Sequence, residues 1–261
     1  MIVRHLLFSC FLAVGFKSIA QESVSRVGKQ QSYSLLLTTK LHSTGHSPYS
    51  GFYLNHHVNA EIGLLYKYKQ AGAFINKAVD IADVHSDINF STIGIFRTFK
   101  LSESLKLTPY MGYFLKQSHS FMDDKSDMWV CAVVSLAINR WLALENTTLV
   151  GNLIRHHSQA SLANRMNAAI QIGKFKIDAY AWYTHSLNRG PHFISTSLAI
   201  TSPDWVITKA ISARIQVAVM QHVSNEKPNG CMHRGGLISL IVPIDLSMNN
   251  IDTDSPDVSK N

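Results

Sequence analysis

In the stretch MQHVSNEKPNG, residues 220–230, a histidine and a serine stand two apart as His222-x-Ser224. On an extended strand, residues two apart project from the same face, so this imidazole and hydroxyl fall within hydrogen-bonding reach. That is what a serine nucleophile and its general base require. A complete hydrolytic site also needs a third group to orient the histidine. After Gly230 the chain offers Cys231, Met232, His233 and Arg234, with no carboxylate before Asp245. Only a loop could supply one, as Glu226 or Asp127. The plainer reading is a polar pair satisfying its own hydrogen bonds where a strand meets a loop. The choice turns on where that strand points.

A second set of residues with chemistry to offer is the histidines: His42, His46, His85, His119, His156, His157, His185, His192, His222 and His233. Imidazole binds metals and titrates near neutrality, so a metal-collecting or acid-sensitive rim is one use for them. No pair has a dedicated zinc spacing and no Cys/His cluster accompanies them, so neither a metal site nor a cofactor is expected. A ring with an apolar body and a polar tip also suits a membrane interface.

The elements that must position these groups are readable from the ends inward. Residues 1–20 have the form of a secretory signal: Arg4, an apolar run from Leu6 to Phe16, then Ser18-Ile19-Ala20, with cleavage expected near Ala20/Gln21. The run is shorter than the roughly 20 residues of a spanning helix. Two cysteines follow the signal, Cys131 and Cys231, too few and too differently placed for a disulfide framework. The net charge is +7, yet lysine and arginine are scattered singly rather than gathered into a stripe. That excludes nucleic acid as the favoured partner and suits anionic outer-membrane lipid or lipopolysaccharide.

Beyond the signal, segments of about 10 residues alternate apolar with polar and are broken by turn signals, the pattern of a transmembrane β-barrel. Short connections are expected at Val58-Asn59-Ala60, Leu101–Ser104, Asn139-Arg140, Gly173-Lys174 and Thr201–Asp204. Longer polar ones are expected at His42–Pro48, Ala71–Asp87, Ser118–Ser126, Ile154–Asn164, Ser186–Gly190 and Val223–Met232. The two kinds alternate strictly. The fold expected is therefore all-β, an antiparallel transmembrane barrel of about 12 strands with short periplasmic turns and longer outer loops. Its parts are a periplasmic segment at 21–31, the barrel at 32–247 and a polar tail at 248–261.

A charge on the lipid face costs a few kcal/mol at mid-membrane, so the charged faces of the strands should point inward. The expected lumen network is Lys40, Glu61, Lys67, Arg97, Glu145, Lys176, Asp178, Arg214 and Asp245. Aromatics at strand ends, namely Tyr49, Phe52, Phe99, Trp129, Trp141 and Trp205, fit interfacial girdles. On the strand before the opening stretch, Arg214, Gln216, Met220, His222 and Ser224 share one face, which places the histidine and serine in the lumen.

The Ala20-Gln21 junction, the repeated strands and the final GGLISLIVPIDL resemble bacterial outer-membrane β-barrel proteins over the whole chain after the signal. Within it, HVSN and the Pro228-Asn229-Gly230 turn resemble outer-membrane lipid A deacylase and phospholipase A barrels. That shorter resemblance implies a lipid acyl hydrolase with His222 as base and Ser224 as nucleophile. It departs from those enzymes in the inward facing of the pair and in the missing orienting carboxylate. The leading expectation is a structural, binding or narrow-pore role. In it the outer loops form a contact surface for an unidentified ligand.

Overall fold

The computed structural model describes residues 33–47, 52–83, 89–116, 126–156, 160–187, 192–224 and 233–247. The expected signal, N-terminal segment and C-terminal tail lie outside these residues, as do Tyr49, His85, His119, His157, Glu226, Cys231 and the Pro228–Gly230 turn.

Alternating side chains become alternating faces. In β1 (Tyr33–His42) and β4 (Asn59–Tyr68), Leu36, Thr38, His42, Asn59 and Leu65 are buried while Leu41, Ile62, Leu64 and Tyr66 are exposed. The same pattern runs through β5 (Ala71–Asp80), β6 (Phe90–Arg97), β8 (Leu105–Lys116), β9 (Asp127–Ala137), β10 (Leu142–Gly151) and β11 (Ser161–Ile172). It continues in β12 (Phe175–Ser186), β13 (His192–Thr201), β15 (Ser212–His222) and β16 (Arg234–Asp245). These form a closed antiparallel barrel of 12 strands. Sequential neighbours pair around the wall, and β1–β16 and β13–β15 complete the circle. Closure removes the unpaired edges that an open sheet exposes. Four short strands sit beside it: β2 (Gly45–Ser47), β3 (Phe52–Asn55), β7 (Phe99–Lys100) and β14 (Trp205–Val206).

The connections fall into two sets, at a turn end and a loop end, and the first of them correct the sequence reading. Val58-Asn59-Ala60 is not a periplasmic turn. It lies at the loop end, where Val58 O accepts from Ile81 N at 3.0 Å. The first outer connection, 43–58, contains the β2–β3 hairpin. Ala71–Asp80, expected to be part of a loop, is a barrel strand paired with β4 through a two-residue turn at Lys69-Gln70. Lys69 takes φ 53°, an uncommon region for a residue with a Cβ. No glycine or asparagine announces that turn, whereas Gly173 announces the one at φ 59°. One strand was thus lost and one gained, and the count of 12 stood.

Inside, the barrel is not uniformly polar. Phe74, Phe96, Tyr110, Trp129, Cys131 and Val133 form an apolar arc on β5, β6, β8 and β9, continued by Leu36, Leu65, Leu149 and Ala163. Glycines make this arc possible. A Cβ on Gly112 would overlap the Trp129 ring, and one on Gly72 the Phe96 ring, across directly paired positions. The rings therefore lie against the wall. Phe96 stacks on Tyr110 at 5.1 Å, and Trp129 sits 6.1 Å from Phe74 and 5.6 Å from Phe114. Trp129 is fully buried and donates through Nε1 to Thr92 Oγ1 at 3.2 Å. It belongs to the interior, not to a girdle. Phe99, Trp141 and Trp205 are exposed near the turn end, as girdle residues should be.

Candidate functional site: the polar inner wall

Opposite the aromatic arc, from β10 round through β16 to β4, the inner wall carries charged and polar side chains between apolar ones, among them a patch of Ala199, Ala218, Met220 and Leu237. Near the loop end, β1 and β4 set Lys40 opposite Glu61, with Nζ 3.0 Å from Oε2. His42, two residues up β1, hydrogen-bonds Ser239 Oγ through Nδ1 (2.7 Å) and faces Glu61 Oε1 at 3.4 Å through Nε2. That second distance is ion-pair range rather than a well-formed hydrogen bond. Deeper in the barrel, Arg165 Nη2 pairs with Glu145 Oε1 at 3.0 Å while its guanidinium lies 5.7 Å from the Tyr180 ring centre. Asn167 donates to Asp178 at 3.1 Å, and Lys176 holds the same carboxylate oxygen at 3.0 Å. Towards the turn end, Gln216 bonds Thr201 at 3.0 Å, and Arg214 reaches Asp204 at 3.3 Å.

Lys40, Glu61, Lys67, Glu145, Lys176, Asp178, Arg214 and Asp245 thus share the inward-facing register. Asp245 ends β16 and bonds Ser247 through the latter's N–H (3.0 Å) and hydroxyl. Arg97 does not belong with them. It is exposed, pairs with the outward Ala71, and lays its guanidinium 5.3 Å from the Phe99 ring on the outer surface. A cation there can snorkel to water, and near an interface a lipid-facing charge costs only about 0–1 kcal/mol. The rule that charges point inward fails at the rim for that reason. Arg165, Asn167, Asp204 and Ser239 complete the network but were not expected from the sequence, and His42, expected at a histidine rim, joins them. Their partners come from neighbouring strands, and only register brings them together.

One inward group is distinct. Lys67 sits at the turn end of β4 within electrostatic reach of Lys100 and Lys106, and Lys100 is paired directly with Lys106 across β7 and β8. Like charges directly opposite one another destabilise a sheet. None of the three lysines has a carboxylate partner among the described residues.

His222 and Ser224 are hydrogen-bonded, with Ser224 Oγ 3.0 Å from His222 Nε2. His222 is buried on the inner face beside Met220, and its Nδ1 meets Ser195 Oγ at 3.2 Å. Ser224 Oγ also accepts Ile194 N–H at 3.1 Å, tying the end of β15 to β13. No carboxylate contacts this imidazole among the described residues; a second serine takes that position. The His233 ring lies 6.1 Å from that of His222, and the remaining described histidines lie in separate contacts. His57 pairs with Asp80 (3.2 Å), and His185 and His192 pair across β12–β13 around Tyr183. No group of three metal-binding side chains is found among the described residues.

Two carboxylates shape the loop end. Asp127 accepts the backbone N–H groups of Ile154 (2.9 Å), Arg155 (3.1 Å) and His156 (2.8 Å). Asp80 accepts those of Ala82 (2.9 Å) and Asp83 (3.1 Å). The Asp80 contacts are a local turn of the kind Asp favours, whereas those of Asp127 reach 27–29 residues along the chain and are not deducible from spacing.

The sequence matches no protein-family model and no curated protein. Solved structures of outer-membrane porins share the fold. The KdgM porin superposes with TM-score 0.55 at 6% identity, covering 80% of this chain and 98% of its own. The same porin in complex with disordered oligogalacturonate gives 0.53 at 6%, covering 81% and 98%. The NanC porin gives 0.55 at 10%, covering 80% and 98%. At such identities the likeness is one of fold, and it agrees with the outer-membrane barrel resemblance read from the sequence.

Proposed function

We propose that this barrel is a narrow outer-membrane channel of a Gram-negative bacterium that passes small polar solutes and prefers anions. The carrying observation is the inner wall. A barrel of 12 strands lies between small barrels filled by side chains and porins of 16–18 strands with open aqueous channels. Here five inward aromatic side chains lie against one arc, while Tyr180 and Trp182 stack on β12 beside an apolar patch of Ala199, Ala218, Met220 and Leu237. Charged and polar groups run past that patch from loop end to turn end. Along this run Arg165 Nε, Asn167 Oδ1, Trp182 Nε1 and Thr184 Oγ1 have no protein hydrogen-bond partner among the described residues. Buried polar groups of this kind are satisfied by water, which supports a hydrated passage.

The charge balance supports the preference. Glu61, Glu145 and Asp178 each sit in an ion pair, while Lys67, Lys100 and Lys106 crowd the turn-end mouth. Fixed cations at a mouth raise the local concentration of anions. The structural likeness to a porin solved with an oligogalacturonate, an anionic oligosaccharide, is compatible with that preference.

The test is electrical. In planar lipid bilayers the purified protein should give stepwise conductance, with a reversal potential in a salt gradient that marks anion preference. Lys67→Glu with Lys106→Glu should move that potential towards cations. The preference should fade between 0.1 M and 1 M salt, where the screening length drops from about 10 Å to about 3 Å. Absence of conductance would remove the channel reading. Unchanged selectivity in the double variant would remove the lysine mouth.

A further inference from the structure

The outer surface of the barrel carries a groove of about 630 Å³ that runs from the middle of β12 and β13 to the loop ends of β15 and β16. That lies within the roughly 300–1,000 Å³ of ligand pockets in general. Its residues fall into two rows set by register. Thr196, Gln221 and Arg234 are paired side by side in the row nearer the loops, and all three are exposed. Leu198, Val219 and Gly236 form the row directly below.

Among the described residues no side chain fills the place of a Cβ at Gly236. A Cβ there would meet only Ala218 O, at 3.9 Å, in contrast to the ring overlaps at Gly72 and Gly112. A glycine inside a strand weakens it and often marks close approach of a ligand. Its missing side chain is what deepens the apolar row. The Arg234 side chain makes no hydrogen bond or ion pair among the described residues. A guanidinium unpaired at that height is complementary to an anion in the outer leaflet's headgroup layer, and Arg recognises phosphate through paired N–H donors.

We infer that this groove binds one molecule of the phosphorylated, multiply acylated glucosamine lipid of the outer leaflet, lipid A. A phosphate is held by Arg234 with Gln221 and Thr196, and an acyl chain lies over Gly236 between Leu198 and Val219. The site rests on the outer-membrane placement proposed above and not on conduction, so a barrel that binds lipid without conducting would fail only the channel reading.

Native mass spectrometry of the detergent-purified barrel, with bisphosphorylated lipid A and separately with phosphatidylglycerol, tests the assignment. The wild type should retain lipid A in preference to phosphatidylglycerol. Arg234→Gln should weaken lipid A binding roughly tenfold, about 1.4 kcal/mol, and so should Gly236→Leu, by filling the groove. Arg97→Gln, which removes an outward cation at the opposite end, should leave binding unchanged. Retained heat-dependent gel mobility certifies that each variant is folded, and Gly236→Val replaces Gly236→Leu if the larger side chain blocks assembly. Equal retention of the two lipids by the wild type overturns the assignment, as does undiminished lipid A binding in both groove variants.

Discussion

Ser224 illustrates how little a pair of residue types decides without its surroundings. Its hydroxyl bonds His222, as a nucleophile's would, but it also accepts the N–H of Ile194. Ser195 occupies the other ring nitrogen of the same histidine. Every polar atom of the trio thus has a structural task, and the imidazole is buried on the inner wall rather than offered to lipid. Ser224→Ala should therefore leave lipid A and phospholipid acylation unchanged when cell lipids are compared by mass spectrometry. It should lower barrel stability by about 0.5–1.5 kcal/mol, the usual net value of one hydrogen bond, read from urea unfolding in detergent. Loss of acyl chains with wild type that disappears in both Ser224→Ala and His222→Ala would establish the hydrolase instead.

At the scale of elements, register and loop anchorage matter more than propensity. Gly112 sits opposite Trp129 and Gly72 opposite Phe96, so a slip of one residue would both expose rings to the outer face and drive them into Cβ atoms. A one-residue slip exchanges the two faces of a strand, and these glycine–aromatic pairs guard against it. The loop end is held differently. Asp127, at the start of β9, gathers three consecutive N–H groups of the 154–156 segment. Asp127→Ala removes all three acceptor contacts while leaving the strand ladder intact. The expected result is selective proteolytic cleavage near Arg155 in the folded barrel, with gel mobility otherwise unchanged. Resistance equal to wild type would show that the anchor is dispensable.

For the whole molecule, closure is the property with consequences. Every barrel strand is paired on both sides, so unfolding cannot begin at an edge, and the unheated protein should run faster on a gel than the boiled one. A protease-accessible tag placed between Asp80 and His85 should be cleaved on intact cells, and one following Met248 should be shielded. The first site follows a strand that ends at the loop end, and the second follows one that ends at the turn end. The reversed result would invert the barrel and move the lysine mouth and the lipid groove to the opposite faces of the membrane. Recovery as a soluble protein would remove the membrane reading altogether.

Alternation with a period of two was enough to establish an all-β barrel, its even strand count and its two kinds of connection, because those follow from which side chains tolerate lipid and which do not. It could not place Arg97 or Trp129, since at the rim a cation reaches water from either face and inside a barrel a large ring can be accommodated over a glycine. Nor could it find the turn at Lys69, which carries no residue favouring positive φ. Pairing between strands is nonlocal: Lys40 meets Glu61, Glu145 meets Arg165, and Gly236 lies beside Val219 only after the wall has closed. Faces were written in the sequence. Partners were decided by the fold, because a hydrogen-bonded register joins residues that no local spacing connects.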